Sequence, residues 1–204
     1  MKRRAAALSM AMICALSACG KDDESQQPAQ QDAPDTTSAP RDVTWAGLNG
    51  IQTPRSSACG QSTGDGSVPV GYEHTPQCGV VAAMNGQVAL ATAKDREWPA
   101  VANAVLAPGP GKNQWVQARS MQSITKPVDN PARFVGFKIP SYDEHGMQTI
   151  LAVTWPDGKT TAQVTQLAWQ GNTWKLVLPT QDKAPDAVEI KNLDEFTKFG
   201  AKES

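Results

Sequence analysis

Residues 132–179, ARFVGFKIPSYDEHGMQTILAVTWPDGKTTAQVTQLAWQGNTWKLVLP, decide the fold. Through this stretch apolar and polar side chains alternate with period two, the signature of half-buried strands. Val135, Phe137 and Ile139 alternate with Phe134, Gly136 and Lys138, and Met147, Thr149, Leu151, Val153 and Trp155 share one face of the next run. Pro156-Asp157-Gly158-Lys159 reads as a hairpin turn, Thr160 to Ala168 alternates again, and Gln170-Gly171-Asn172 makes a second turn before Trp174, Leu176 and Leu178 run to Pro179. Consecutive strands joined by short turns pair antiparallel, so the stretch predicts a meander of about four strands.

Working towards the N-terminus, the period changes to that of a helix. Thr75 is a capping residue, Pro76 suits the first helical position, and Cys78 to Ala93 is dominated by Ala, Val, Met and Leu. A helix small and apolar on most sides must be deeply packed. Asp95 is a candidate cap for a second helix carrying Trp98, Val101, Ala102, Val105 and Leu106 on one side, which Pro108-Gly109-Pro110-Gly111 stops. Asn113 to Ser123 is a weaker third helix with Trp115, Ala118 and Met121 roughly on one face. Helices first and strands afterwards give an α+β domain, with helices packed on one face of a curved antiparallel sheet. Residues 43–72 read as irregular structure with one or two short strands. Towards the end, Asn192 with Glu195 and the spacing of Leu193, Phe196 and Phe199 predict a short helix docked on the sheet. Residues 43–200 thus form the domain and 201–204 a tail.

The chain has 204 residues, 40% of them apolar, enough for one domain with its own core. Its start carries an address. Lys2, Arg3 and Arg4 precede an uncharged, mostly apolar stretch from Ala5 to Leu16, about 18 Å long as a helix and too short to span a bilayer. Leu16-Ser17-Ala18-Cys19 resembles the bacterial lipobox, which implies cleavage after residue 18 and a mature chain beginning at lipidated Cys19. Two acyl chains anchor stably where one holds only marginally. The alternative is an ordinary secretory signal in which Cys19 is incidental. Residues 20–42 contain no Val, Ile, Leu, Met, Phe, Trp or Tyr. Such a segment cannot offset its ordering entropy, so it is expected to be a disordered tether reaching about 25 Å.

Loss of residues 1–18 removes three basic side chains and no acidic ones, moving the formal charge from −1 to −4. An acidic surface repels phosphate backbones, and nucleic-acid binding is not expected. The membrane, reached through the anchor, and an envelope protein are the expected partners. On the outer side of a membrane a pair of thiols forms a disulfide, and Cys59 and Cys78 are the pair left in the folded part. The alternative role for Cys78, near a helix start, is a reactive thiol.

Two resemblances follow from these residues. A glycine turn leading into Gly171-Asn172-Thr173-Trp174-Lys175-Leu176 after helices and a meander resembles the NTF2-like, cystatin-like cone folds. A second set comprises Trp45, Asn49-Gly50-Ile51 and Pro54; Gly71-Tyr72-Glu73-His74-Thr75-Pro76-Gln77; Trp174-Lys175-Leu176-Val177-Leu178-Pro179; and Leu193-Asp194-Glu195-Phe196. This set resembles an uncharacterised family of secreted and lipid-anchored envelope proteins of actinobacteria, the high-GC Gram-positive bacteria. It implies a domain from 43 to 200 and an envelope location. Where the family continues with Gly-Ala after the Gln, this chain has Cys78-Gly79, which implies that the disulfide is a local addition.

Few side chains carry chemistry. His74 at the mouth of a helix, with Tyr72 beside it, is a candidate for ligand binding over an N-terminus that favours anions. The bland alternative is that His74 fixes the helix entry. Trp155 and Trp174 are candidates to line a cavity, though most tryptophans of such a domain belong to the core. Tyr142-Asp143-Glu144-His145 brings potential metal ligands together, but neighbours in a hairpin loop rarely converge on one ion, and a solvated turn is expected. No metal or cofactor is expected, and no phosphate loop, nucleophile elbow or Cys-x-x-Cys is present. The expected function is a lipid-anchored, extracytoplasmic, non-catalytic binding or scaffolding domain. The alternative is an NTF2-like cone-fold enzyme or a carrier of a small hydrophobic ligand.

Overall fold

The structure, a computed structural model, describes residues 33–62 and 68–202. The signal segment 1–18, Cys19 and residues 20–32 of the tether lie outside the described residues. Order begins earlier than the apolar content predicts. Residues 33–42 lie against the domain through polar contacts: Gln77 Nε2 donates to the Asp35 carbonyl at 2.8 Å, Thr197 Oγ1 to that of Thr37 at 2.6 Å, and Ser56 Oγ to that of Arg41 at 2.7 Å. Backbone carbonyls, invisible to a count of apolar side chains, hold this part of the segment.

Two strands follow, β1 (Val43–Leu48) and β2 (Ile51–Ser56), antiparallel from Val43 opposite Ser56 to Leu48 opposite Ile51. Asn49 at φ 48° and Gly50 at φ 95° form the two-residue turn, in which both positions take the left-handed backbone that Asn-Gly tolerates. A short 3-10 turn, Ser57–Cys59, leads towards α1 (Pro76–Thr92). As the sequence predicts, Thr75 caps α1, its hydroxyl accepting from the Cys78 N–H at 3.2 Å. Asp95 does not cap α2 (Trp98–Val105), which Glu97 precedes instead. The Asp95 carboxylate is taken by Arg119 at 3.1 Å, Ser123 at 2.7 Å and the Ile124 N–H at 2.8 Å. The third helix, α3 (Pro110–Ser120), begins inside the Pro-Gly segment that ends α2, because Pro110 is pre-set for a first helical turn.

The main sheet contains β3 (Arg133–Tyr142), β4 (Gly146–Thr154), β5 (Thr160–Trp169), β6 (Trp174–Val177), β7 (Val188–Glu189) and β8 (Thr197–Lys198). Its order is β6-β5-β4-β3-β8, with β7 also on β5, so it has six strands rather than about four. The added strands are two residues long, too short for periodicity to show. A register shift between Phe134 and Gly136 puts Phe134 and Phe137 both inside. The expected C-terminal helix is absent from the described residues. Its segment is extended instead, with Gly136 and Phe137 opposite Lys198 and Thr197 and the Phe199 N–H donating to the Val135 carbonyl at 3.1 Å. The unpaired edge of β3 outweighs a helical spacing of three apolar residues.

Helix α1 is buried along most of its length. A methyl group at Gly86 would meet Leu176 Cδ1 at 2.5 Å, and one at Gly79 would run into the Met147 sulfur, so glycines let the helix approach β4 and β6 closely. Phe137, Met84, Leu151, Leu176, Val80 and Val81 fill the interface without solvent contact. Each such side chain contributes about 1.5–3 kcal/mol by leaving water. Among the described residues no helix is long and apolar enough to cross a membrane.

Candidate functional site

The candidate residues fall in two places. The first is an aromatic nest at the entry to α1. The disulfide Cys59–Cys78 closes with a Cα–Cα distance of 5.3 Å and ties the turn after β2 to the first turn of α1. Between the two cysteines, the Glu73 N–H donates to the Cys59 carbonyl at 2.9 Å. Thr173 Oγ1 accepts from the N–H groups of Gly71 and Tyr72 at 3.1 and 3.3 Å. Trp174 Nε1 donates to the Glu73 carbonyl at 3.1 Å, and the Tyr142 hydroxyl to that of His74 at 3.2 Å. Residues 71–74 are thereby clamped onto one end of the sheet.

His74 stacks on Trp169, ring centroids 4.2 Å apart and planes 11° apart, with Trp174 at 5.2 Å. Its Nε2 is buried with no hydrogen-bond partner, as is the Tyr72 hydroxyl. Burial pushes the Tyr72 phenol well above its usual range, and the Arg55 charge only partly opposes this. Tyr72 is 4% and Trp174 2% exposed. The nest joins residues 71–74, just before the helix, to the sheet. Tyr142 belongs to it, whereas Glu144 and His145 sit on the exposed turn beyond, 3.3 Å apart. Among the described residues no cluster of potential metal ligands forms.

The second place is a cleft of about 580 Å³ between the β1–β2 hairpin, residues 130–134, the β4–β5 turn and residues 201–202. Trp155 lines it; Tyr72, His74 and Trp174 do not. Its walls are fixed. The Trp155 N–H donates to the Lys159 carbonyl at 2.8 Å, and its carbonyl accepts from the Gly158 N–H at 2.9 Å. Trp155 Nε1 donates to Thr161 Oγ1 at 2.9 Å, while the Asp157 carboxylate takes the Lys159 N–H at 3.0 Å. The indole is therefore held at the tip of a rigid turn, yet 43% exposed.

Opposite it, Trp45 packs against Phe199 at 5.2 Å. The hairpin bearing Trp45 is anchored at its tip, where Asn49 Nδ2 donates to the Thr92 carbonyl and hydroxyl, both at 3.2 Å, and the Asn49 carbonyl accepts from the Val128 N–H at 3.0 Å. Gln52 and Asn130 add amides to the wall, the latter from a left-handed backbone at φ 50°. Among the described residues, the charged side chains of the lining are Arg133 and Lys202, with no carboxylate and no imidazole. The alternation pattern points to Trp155 alone. Trp45 and Gln52 were reachable from Asn49-Gly50, a strong hairpin signal, but Asn130 and Lys202 arrive from loops with no periodic signature.

Residues 15–198 match the model of a family described as a domain of unknown function, DUF8175. No curated protein and no solved structure matches the chain.

Proposed function

Because the chain belongs to the DUF8175 family, whose description assigns no activity, we propose its role from its own residues: it is a lipid-anchored, extracytoplasmic, non-catalytic binding domain of the bacterial cell envelope. The binding reading is carried by the cleft beside Trp155, about 580 Å³ in volume and within the range of about 300–1,000 Å³ of ligand sites. Rigid aromatic and amide groups face it, and among the described residues its lining brings no carboxylate or imidazole for acid–base work.

The location is supported by Lys2-Arg3-Arg4, the apolar run to Leu16 and the small residues before Cys19. The family match begins at residue 15 and so takes in Leu16-Ser17-Ala18-Cys19. The Cys59–Cys78 bond fits an oxidising compartment. An actinobacterial envelope is the setting that the family resemblance suggests. The alternative, an NTF2-like enzyme or carrier, needs a pocket between sheet and helix, the space that Met84, Phe137, Leu151 and Leu176 fill.

The test is fractionation of cells producing the full chain, with protease added from outside. The protein should partition with membranes and be digested in intact cells. Recovery in the cytosolic fraction, protected from protease, contradicts the proposal.

A further inference from the structure

We infer that the open edge of β1 takes up an extended peptide segment of a partner protein as a third strand, with the side chain opposite Gly47 entering the cleft beside Trp155. This rests on the binding role proposed above and names the kind of ligand. In an antiparallel pair, bonded and non-bonded positions alternate. Leu48 and Ile51 close the two-residue turn as a bonded pair, so Thr44 and Ala46 also bond to β2, and the N–H and C=O groups of Val43, Trp45 and Gly47 point away from it. Pro54, opposite Trp45, has no N–H to give and turns its carbonyl to Asn85 at 2.8 Å, in keeping with that phase. β1 pairs with β2 alone, and among the described residues no backbone group bonds Val43, Trp45 or Gly47 from the other side.

Natural edge strands are blunted against pairing by charges or proline. The run Val43-Thr44-Trp45-Ala46-Gly47-Leu48 contains neither. The hairpin is already held by Asn49 on Thr92, Asn85 on Pro54 and Ser56 on Arg41, so little freedom is lost on binding. Its outward groups recur at every second residue, about 6.8 Å apart, which is the repeat of an extended backbone. An added strand gains affinity from such bonds and specificity from pockets for its alternate side chains. Here a pocket adjoins the edge. Gly47 leaves its side of β1 open, since a methyl group there meets only Gln52 Nε2, at 4.0 Å. Trp45 and Gln52, on the same face as Gly47, both line the cleft of about 580 Å³. A ligand residue paired with Gly47 projects its side chain from that face into the cleft. The lining there includes Pro131, Phe134, Trp155 and Pro156, which suit a bulky apolar side chain.

The experiment is titration of the full chain, purified in detergent micelles, with acetyl-Lys-Phe-Val-Thr-Val-Thr-Lys-amide, whose Phe falls opposite Gly47 in antiparallel pairing. Binding is read by calorimetry and by amide hydrogen exchange in NMR spectra. Exchange of the Val43, Trp45 and Gly47 amides should slow on binding, while the amides of Thr44 and Ala46, already bonded to β2, should change little. N-methylation of the Phe and both Thr residues of the peptide should weaken binding at least tenfold, because it removes the donors that face β1. N-methylation of its two Val residues, whose N–H groups face away, should leave affinity within about threefold. Trp155→Ala, with spectra unchanged away from the cleft, should weaken the Phe peptide several-fold but not the same peptide carrying Gly in place of Phe. No binding, protection that bypasses Val43, Trp45 and Gly47, equal tolerance of both N-methylated peptides, or no dependence on Trp155 overturns the inference. So does protection of those three amides that rises with protein concentration in the absence of peptide, which assigns the edge to a second copy. Cell fractionation is read on the same cells. A membrane-bound, externally digested protein that ignores the peptide refutes this inference alone, and a cytosolic one that binds it refutes the proposed location alone.

Discussion

Asn85, in the middle of the buried helix α1, donates from Nδ2 to the carbonyl of Pro54 on β2 at 2.8 Å. Its second proton goes to the Val81 carbonyl one turn back, at 2.9 Å. A polar side chain with no solvent contact thus joins the helix to the hairpin that forms one wall of the cleft. Asn85→Ala leaves the Pro54 carbonyl buried and unpaired, which costs about 1–3 kcal/mol. Denaturant melts should show that loss, and limited proteolysis should cut first within residues 43–56.

Reduction of Cys59–Cys78, separated by 19 residues, removes a loop constraint of about 3 kcal/mol in the chain-entropy picture. The Cys59→Ser, Cys78→Ser double variant should melt correspondingly lower. The intact protein should gain the mass of two hydrogens under reductant, and an unchanged mass would rule the bond out.

Gly111, at the start of α3, lies directly against the end of β6. A methyl group there would overlap the Leu178 carbonyl, with the Leu178 carbonyl carbon at 2.5 Å and the Pro179 oxygen at 2.7 Å. These are backbone atoms and cannot rotate away, so Gly111→Ala should destabilise by about 1–3 kcal/mol or more. Gly109→Ala is the control, since a methyl group there meets nothing within 4 Å. Its melting temperature should stay within a degree or two of the parent, about the effect of an ordinary surface change.

Asp95 makes the fold sensitive to acid. The Ser123 hydroxyl first, then the Ile124 N–H and the Arg119 guanidinium, hold its carboxyl below the usual range. Because the value is depressed in the folded state, the stabilisation is complete above the unfolded value of about 4 and is lost as pH falls through the folded one. Melts taken from about pH 5 to pH 2 should fall less steeply for Asp95→Asn than for the parent. At neutral pH the variant should be the less stable, since Arg119, 3% exposed, loses its counter-charge. Asp35, Asp143 and Glu195, also depressed, contribute to the slope that remains.

Legibility in the sequence followed how local each cause was. Thr75-Pro76 announces α1 because the cap acts within one turn, and Pro156-Asp157-Gly158-Lys159 announces its hairpin for the same reason. Cys59 with Cys78 was legible because the folded part offers no other pair. Three features were set by distant partners instead. Asp95 stands where a cap would, but Arg119 claims it from 24 residues away. Leu193, Phe196 and Phe199 have near-helical spacing, but the open edge of β3 draws their segment into a strand. The cleft gathers Trp45, Asn130, Trp155 and Lys202 from four separate segments, and no window along the chain contains more than one of its walls.

The anchor at Cys19 is tested most directly by mass spectrometry of the N-terminal peptide of the protein isolated from membranes, alongside its Cys19→Ala variant. The expected result is a peptide that begins at Cys19 and carries a diacylglyceryl thioether, with the variant unlipidated and released from the membrane fraction. A chain that begins elsewhere, a Cys19 without lipid, or a variant that stays bound as tightly as the parent would contradict the proposed anchoring.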